Sequence, residues 1–344
     1  MAVIAIVGAG MMGSALSFPA SENGHEVRLV GTPLDRQIID HAIITGEHLT
    51  LKRRLPPSVQ YYEIEQLEDT LSGANVLISG VSSFGVDWFS QLVIPLLPVG
   101  LPVLSVTKGM MNADGGALMT YPAYYTEQHP GKSLCINSIG GPCTSYELAD
   151  HDQTEVCFCG EDIVILRKLR ALMETTYYHI SLSTDVIGVE CAVAIKNAYA
   201  LGVTLAIGLS ERREGAGCKE HYNSQAALFA QSIREMSRFL NLVGGGGDNI
   251  VWAAGDLYVT VFGGRTRKIG ILLGRGLSYD QAIAELRGIT LESVVITKRM
   301  AQALRTRIQS GTANEHDFPL ILHIDDVISK GYDVNISWDR FRQG

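Results

Sequence analysis

The sequence predicts an α/β protein, with a doubly wound, mainly parallel sheet in the N-terminal part and an all-α C-terminal domain. Apolar runs rich in β-branched residues alternate with helical patterns as far as Asp185, and this alternation is typical of a doubly wound sheet. A glycine-rich turn directly follows the first of these runs, and almost no strand pattern occurs after Asp185. The change near Asp185 predicts two domains, 1–186 and 187–344.

The first domain contains eight strand-like segments separated by helical patterns. In chain order the strands are predicted at 3–7, 25–30, 59–62, 76–81, 102–106, 134–139, 156–158 and 179–182. The helices predicted between them include 14–23, 88–97 and 162–173. Gly24 is a C-terminal stop for the first of these helices. Pro19 is expected to kink or shift that helix, because proline has no N–H to donate.

The second domain is predicted to consist of long helices. They are expected at 189–209, 224–242, 279–287, 291–308 and 318–329, and four successive glycines at 244–247 must form a loop. The segment 189–209 is apolar, but it carries Glu190 and Lys196. We therefore predict a core helix there and no membrane span.

Composition excludes several classes of protein. The chain has 344 residues, 46% of them apolar and 19% charged, which is unlike a disordered protein. Its 28 basic and 36 acidic residues give a net charge of −8, which argues against a nucleic-acid partner and requires a local basic cluster for any bound phosphate. The N-terminus has no signal-peptide pattern, so a cytoplasmic location is expected. Six cysteines without zinc-site spacing predict free thiols and no metal.

The glycine-rich turn has the spacing of a dinucleotide-binding motif. Gly8, Gly10 and Gly13 stand in GxGxxG spacing between a predicted strand and a predicted helix. In such a turn the first glycine permits the tight bend, the second lets the backbone approach a pyrophosphate, and the third lets helix and strand pack closely. The helix N-terminus then offers N–H groups to the phosphates. The sequence predicts a Rossmann-like NAD(P) site here, with Met11 and Met12 inside the turn.

The choice between NAD and NADP stays open at this point. NAD sites usually place a carboxylate at the end of the second strand, and no acidic residue directly follows Val30. Thr32 can bond a ribose hydroxyl or a 2′-phosphate, and Arg36 can supply positive charge, as can the basic run at 52–54. The alternative interpretation of these residues is a solvated surface loop.

Further motifs, taken with the glycine turn, resemble one enzyme family over nearly the whole chain. They are GVECAVAIKN at 188–197, TKG at 107–109, GGP at 140–142 with ELA at 147–149, GDL at 255–257, GGRTRK at 263–268, and Glu292. In this order and spacing the sequence resembles the NAD(P)-dependent glycerol-3-phosphate dehydrogenases. The resemblance implies a Rossmann domain, an all-helical domain, and reduction of dihydroxyacetone phosphate to sn-glycerol 3-phosphate.

The resemblance implies catalytic roles for Lys196, Lys108 and Asp256. Lys196 lies in a helix that is apolar nearly all round, and burial lowers the pKa of a lysine, which suits a proton donor to a forming alkoxide. The alternative is a lysine whose ammonium reaches solvent at the helix rim. Lys108 follows a predicted strand, at the sheet edge where ligands bind, although an exposed loop lysine fits the same position.

Other site residues are implied in the same way. Arg265 opens a basic cluster with Arg267 and Lys268, and arginine binds phosphate in a bidentate manner. Asp256 and Thr260, four residues apart, share one face if their segment is helical, and Asp256 is expected to bond Lys196 or a substrate hydroxyl. The remaining implied substrate contacts are Gly141, Cys143, Asn197, Gly264 and Thr266, and the remaining implied cofactor contacts are Lys108, Ser145, Arg265 and Glu292.

Departures from the family pattern keep the exact substrate open. Thr266 replaces an expected asparagine, Cys143 replaces a hydroxyl residue, Ser293 replaces a glycine after Glu292, and Gln225 replaces an expected lysine. The alternatives are the same chemistry on another phosphorylated or sulfonated polyol or ketose, and a dinucleotide-binding regulatory protein without catalysis. The expected partners are a small phosphorylated substrate and a second copy of the chain, as a homodimer.

Overall fold

The computed structural model describes residues 1–287 and 291–341. Its strands are β1 Val3–Val7, β2 Glu26–Val30, β3 Val59–Tyr62, β4 Val76–Ser79, β5 Pro102–Ser105, β6 Met110–Asn112, β7 Leu118–Thr120, β8 Cys135–Gly140, β9 Thr154–Cys159 and β10 Tyr178–Ser183. Its α-helices are α1 Met11–Ala15, α2 Ser17–Glu22, α3 Arg36–Thr45, α4 Leu67–Leu71, α5 Val86–Trp88, α6 Tyr121–Gln128, α7 Ser145–Ala149, α8 Ile163–Met173, α9 Val186–Glu214, α10 Tyr222–Leu242, α11 Ile250–Val261, α12 Gly264–Gly274, α13 Tyr279–Glu285, α14 Glu292–Gln309 and α15 Pro319–Lys330.

Eight strands form one sheet in the order β10-β9-β8-β5-β4-β1-β2-β3. Neighbouring strands run parallel except for the antiparallel pair β8 and β9. The central strands are apolar and buried, as in β1 and β4, because helices cover both faces of a parallel sheet. This confirms the predicted fold class, and each predicted strand lies within two residues of its observed bounds.

Proline determines where two predicted helices depart from regular geometry. The helix predicted at 14–23 forms as α1 and α2 with a break at Leu16, because Pro19 has no N–H to donate to the Ala15 carbonyl. The kink expected at Pro19 is therefore confirmed. The helix predicted at 88–97 was wrong as a regular α-helix: one α-turn, α5, is followed by a π-helical turn and a 3₁₀ turn through Leu96. Pro95 lies in that last turn.

The chain separates into two compact units. The first consists of Met1–Lys108 and Tyr121–Glu190, and the second of Gly109–Thr120 and the chain from Cys191 onward. The second unit is helical but includes the antiparallel hairpin β6–β7, which the sequence did not predict. The hairpin packs on α14, where the Arg299 guanidinium donates to the Met110 carbonyl and Asn112 Nδ2 donates to Gln302 Oε1 at 2.8 Å. No strand occurs after Asp185 in the part of the chain that the structure describes.

Helix α9 is the longest element and the centre of the second unit's core. It is 29 residues long and is apolar enough, by length and composition, to cross a membrane. However, 89% of its apolar window is buried inside the protein. A membrane-spanning helix would present such residues to lipid, whereas α9 presents them to other protein elements. The burial is that of a core helix.

Helix α12 packs against α9 through direct backbone contact. A Cβ added at Gly270 would lie 2.0 Å from Thr204 Oγ1 and 2.8 Å from the Leu201 carbonyl oxygen of α9. A Cβ at Gly274 would lie 2.4 Å from the Leu205 carbonyl oxygen. Side chains larger than hydrogen would push the two helices apart. Helices α11 and α12 were absent from the sequence prediction, yet they carry several of its candidate site residues.

Candidate active site

The glycine turn follows β1 at the point where the strand order of the sheet reverses. Gly8 has a φ of +107°, and a Cβ there would lie 2.8 Å from the Gly80 carbonyl carbon. A Cβ at Gly13 would lie 2.2 Å from the Gly8 carbonyl oxygen. The turn, the start of α1 and the residue after β4 therefore touch through their backbones. Gly80 belongs to this arrangement, and the sequence analysis missed it.

Gly10 differs from its two neighbours in the motif, because the protein itself leaves room for a side chain there. The nearest atom to an added Cβ is the Gly80 carbonyl oxygen, at 3.9 Å. Gly10 caps α1, whose first N–H groups have no intrahelical acceptors. Open space beside N–H groups that have no intrahelical acceptors fits the approach of a pyrophosphate. The residues of this turn therefore fit a dinucleotide.

A carboxylate does lie at the end of β2, contrary to the sequence analysis. The chain turns back after Thr32, so that Asp35 Oδ2 accepts hydrogen bonds from the Thr32 N–H at 2.9 Å, the Thr32 hydroxyl at 2.8 Å and the Ala9 N–H at 3.1 Å. Asp35 was missed because it is five residues from Val30. The signal was its position immediately before α3, where aspartate often ends a turn.

Two of the basic candidates near β2, Arg36 and Arg53, are engaged with carboxylates. Arg36 Nη1 bonds Glu63 Oε2 at 2.6 Å, and its Nη2 bonds Glu65. Arg53 makes a bidentate pair with Asp150, at 2.5 and 2.7 Å. Arg36, Glu65 and Asp150 are solvent-exposed, and Arg53 and Glu63 are half-buried. Their positive charge is locally balanced in this structure.

Two predicted substrate residues meet at the carboxyl ends of β5 and β8. Lys108 is half-buried, and its Nζ donates to the Gly141 carbonyl oxygen at 2.9 Å. Cys143 packs at the edge of the first unit's core, and Ser145 begins α7, which packs against α1. Glu190 belongs to the same unit and was not predicted. Burial raises the pKa of Glu190 to about 8, although Ser138 and Lys108 oppose the shift.

The second unit brings Lys196, Asp256 and Thr260 together. Lys196 on α9 is 8% exposed and Asp256 on α11 is 2% exposed. Lys196 Nζ donates to Asp256 Oδ1 at 2.7 Å and to Thr260 Oγ1 at 2.7 Å. Thr260 Oγ1 in turn donates to the Asp256 carbonyl oxygen at 2.6 Å, one helical turn earlier. The expected contact between Lys196 and Asp256 is confirmed, as is the shared helical face of Asp256 and Thr260.

The basic segment after Gly263 forms the start of α12 and divides into two environments. Gly264 has a φ of +78° with open space around it, and Arg265 beside it is exposed. Arg267 is instead held inside the unit, with Nη2 on Glu220 at 2.8 Å and Nη1 on the Val261 carbonyl oxygen at 3.0 Å. Thr266 is buried beneath this turn. Arg265 and Lys268 are therefore the exposed cations of this segment, whereas Arg267 is paired inside the unit.

Two further candidates lie on helices of the second unit. Asn197 is half-buried on α9, next to Lys196, and Glu292 is the half-buried first residue of α14. Residues 1–287 and 291–341 contain no group of three or more His, Cys, Asp or Glu side chains that could hold a metal ion.

Comparison with known proteins decides the family. A model of the NAD-dependent glycerol-3-phosphate dehydrogenase N-terminus matches residues 3–164, and a model of the C-terminus of the same proteins matches residues 185–339. The chain belongs to the NAD-dependent glycerol-3-phosphate dehydrogenase family. It is 32% identical to an NADP(+)-dependent glycerol-3-phosphate dehydrogenase of Archaeoglobus fulgidus, over 90% of this chain and 92% of the relative. It is 27% identical to a glycerol-3-phosphate dehydrogenase [NAD(P)+] of Desulfotalea psychrophila, over 86% and 85%.

Solved structures of glycerol-3-phosphate dehydrogenases share the fold. That from Coxiella burnetii has a TM-score of 0.79 at 23% identity, covering 96% of this chain and 95% of its own. That from Plasmodium falciparum has a TM-score of 0.80 at 19% identity, covering 96% and 92%. Membership of the glycerol-3-phosphate dehydrogenase family confirms the predicted enzyme class, an oxidoreductase that uses NAD or NADP and acts on a small phosphorylated substrate.

Proposed function

We propose that this protein catalyses the reversible NAD(P)H-dependent reduction of dihydroxyacetone phosphate to sn-glycerol 3-phosphate. The observation that carries the proposal is the buried Lys196 ammonium, held by Asp256 and Thr260 in a member of the glycerol-3-phosphate dehydrogenase family. Relatives that match over most of their length carry this activity in their names. The substituted positions Thr266, Cys143 and Gln225 concern substrate contacts and leave this arrangement intact.

Lys196 is proposed as the general acid. Asp256 and Thr260 each accept a hydrogen bond from its ammonium, which favours the charged, proton-donating form. When bound, the nicotinamide supplies a hydride to the carbonyl carbon. Lys196 then gives a proton to the forming alkoxide, and in the reverse direction it takes that proton back. Asp256 fixes the position of the ammonium and balances its charge.

The other predicted residues are proposed to bind and orient. Lys108 would contact the carbonyl oxygen of the substrate, and Arg265 would bind its phosphate, because an exposed guanidinium after two glycines is well suited to a phosphate. The remaining proposed substrate contacts are Gly141, Cys143, Asn197, Thr260, Gly264 and Thr266. The proposed cofactor contacts are Gly8, Gly10, Met11, Met12, Gly13, Thr32, Arg36, Lys108, Ser145, Arg265 and Glu292.

We extend the proposal to the organisation of the protein. The division into a dinucleotide domain at 1–186 and a catalytic domain at 187–344 is supported by the two compact units and by a C-terminal family match that begins at residue 185. A cytoplasmic location is proposed because all six cysteines, which lie within the described residues, are free thiols. A homodimer is proposed on the resemblance alone.

Replacing Lys196 tests the proposed mechanism. The Lys196→Ala variant is expected to lose at least ~100-fold in kcat for dihydroxyacetone phosphate reduction, the usual scale for a general acid. Its affinity for the dinucleotide, measured by fluorescence titration, should be unchanged, because the glycine turn is untouched. Lys298→Ala is the matched control, since Lys298 is an exposed lysine over the Tyr279 ring. Near-normal kcat in Lys196→Ala would refute the assignment.

A further inference from the structure

His48 is a fully buried histidine in the turn after α3, and the proposed mechanism gives it no role. Its Nδ1 accepts backbone N–H groups from Leu51 at 2.9 Å and Thr50 at 3.2 Å. A ring nitrogen that accepts carries no proton, so the neutral ring holds its hydrogen on Nε2. Nε2 lies 2.8 Å from the carbonyl oxygen of Ala9 and therefore donates to it. The local turn therefore fixes the tautomer of His48 that carries its hydrogen on Nε2. This tautomer donates a hydrogen bond to the glycine motif.

Ala9 is held on both sides. Its carbonyl accepts from His48, while its N–H donates to Asp35 Oδ2 at 3.1 Å. These two bonds fix the two successive peptide groups that join Gly8, Ala9 and Gly10. Burial lowers the pKa of His48, which keeps the imidazole neutral and preserves the acceptor at Nδ1. The glycine motif thus has its orientation set by two side chains, one 26 and the other 39 residues away in sequence.

The bond to the Ala9 carbonyl has a consequence for Gly10. The peptide between Ala9 and Gly10 is trans, and in a trans peptide the C=O and N–H groups point in opposite directions. With the carbonyl fixed on the buried imidazole, the Gly10 N–H points away from it. Gly10 is the residue at which the protein leaves open space and from which α1 begins. N–H groups at this place bind phosphate.

We propose that His48 is a positioning residue for the dinucleotide: by bonding the Ala9 carbonyl it presents the Gly10 N–H to the pyrophosphate. Asp35 assists from the other side of Ala9. The inference rests on the dinucleotide site of the proposed function. It assigns His48 a role in cofactor affinity and none in hydride or proton transfer. Cofactor binding and turnover should therefore respond differently to its replacement.

Two substitutions separate the two bonds of the ring. In His48→Asn the side-chain oxygen can take the place of Nδ1 and accept from Leu51, but the side chain is too short to reach Ala9. In His48→Gln the amide nitrogen can take the place of Nε2 and donate to Ala9, while the Nδ1 acceptor is lost. Comparing the two variants therefore distinguishes the hydrogen bond to the Ala9 carbonyl from the hydrogen bonds that support the local turn.

The experiment measures the Kd for NADH and for NADPH by fluorescence titration, together with kcat, both KM values and the melting temperature. His48→Asn should raise the cofactor Kd by about fivefold to tenfold, the effect of one lost hydrogen bond. Its KM for dihydroxyacetone phosphate and its kcat at saturating cofactor should be retained. His48→Gln should restore the Kd to within about twofold of wild type, on the same scale. Equal Kd values in wild type and His48→Asn would overturn the proposal.

Two other outcomes are equally decisive. A His48→Gln variant that is folded but has the weakened Kd overturns the proposal, whether or not His48→Asn folds. A wild-type protein that binds neither dinucleotide overturns the proposed function itself. If the wild-type protein binds a dinucleotide and the substitutions of His48 leave that Kd unchanged, only the inference about His48 is overturned.

Discussion

Buried ionisable side chains in this protein are stabilised to very different extents. Lys196 has two oxygen acceptors at 2.7 Å, and Glu235 has four donors, among them the backbone N–H groups of Leu320 at 2.7 Å and Ile321 at 3.0 Å. Glu190 is 1% exposed, and its Oε2 lacks a hydrogen-bond partner within the described residues. An ionised carboxylate in such a place is costly, so Glu190 is expected to be protonated near neutral pH.

Glu190 is expected to make the stability of the protein depend on pH. Burial raises its pKa to about 8 from an ordinary value of 4.5, so the folded state holds a proton that the unfolded state has lost. The unfolding free energy therefore falls as pH rises between these two values, by up to about 1.4 kcal/mol per pH unit. Glu190→Gln removes the ionisation. The melting temperature of this variant minus that of wild type should increase from pH 5 to pH 8. Thermal denaturation measures both values.

The matched control for this measurement is Glu127→Gln. Glu127 is an exposed residue of α6, so the same substitution is made where the side chain stays in water. The melting temperature of this variant relative to wild type should not change between pH 5 and pH 8. Glu235→Gln is unsuitable as a control, because burial also raises the pKa of Glu235, to about 7. A constant difference between Glu190→Gln and wild type at every pH would contradict the account of Glu190.

At the residue scale the sequence was informative wherever a motif was local. Lys196 followed from its motif, and Asp256 and Thr260 followed from their spacing and from the family resemblance. Asp35 and His48 were missed because each contacts Ala9 only where a turn brings the chain back to the glycine motif. No short sequence motif indicates either turn. The charge of Arg36 was predictable, but its pairing with Glu63 and Glu65 depends on the neighbouring strand.

At the scale of elements, glycine residues of α12 allow this helix to pack closely against α9. A Cβ at Gly270 would overlap Thr204 Oγ1 at 2.0 Å, so the approach of α12 to α9 depends on the absence of side chains. This contact sets where Arg265, at the start of α12, stands relative to Lys196 on α9, both within the second unit. The geometry of the proposed phosphate contact thus depends on a residue that touches no substrate.

Gly270→Ala tests this dependence. The added methyl group is expected to lower the unfolding free energy by about 1–3 kcal/mol, the usual cost of overpacking. The KM for dihydroxyacetone phosphate and the cofactor Kd should both rise, because Arg265 is a proposed contact of both ligands and shifts with its helix. Gly247→Ala is the control, since the nearest atom to its Cβ is 4.0 Å away. Unchanged stability in Gly270→Ala, measured by chemical denaturation, would show that the helix contact is not close.

The strands were easier to predict than the helices of the second unit. Buried parallel strands appear as continuous apolar runs, and all eight were found. The hairpin β6–β7 was missed because its strands are three residues long and its support on α14 is distant in sequence. Helix α12 was missed because glycines that pack closely against a neighbour, here Gly270 and Gly274, look like helix breakers in a single sequence.

For the whole molecule, net charge proved a poor guide to the ligand. The chain carries −8, yet it belongs to a family that acts on a phosphorylated substrate. The placement of a few cations, Lys108 in the first unit and Lys196 and Arg265 in the second, is more informative than their sum. Electrostatic steering by the overall field would oppose an anion, so affinity must come from direct contacts. The substrate phosphate should therefore contribute strongly to recognition.

Initial-rate kinetics with dihydroxyacetone phosphate test the central claim most directly. The oxidation of NADH and of NADPH would be followed with dihydroxyacetone phosphate and with unphosphorylated dihydroxyacetone. We expect turnover with dihydroxyacetone phosphate with at least one cofactor, and a kcat/KM at least about 100-fold above that for dihydroxyacetone, because a site built for a polar group rejects the analogue that lacks it. A protein that binds dinucleotide but reduces dihydroxyacetone phosphate with neither cofactor would contradict the account.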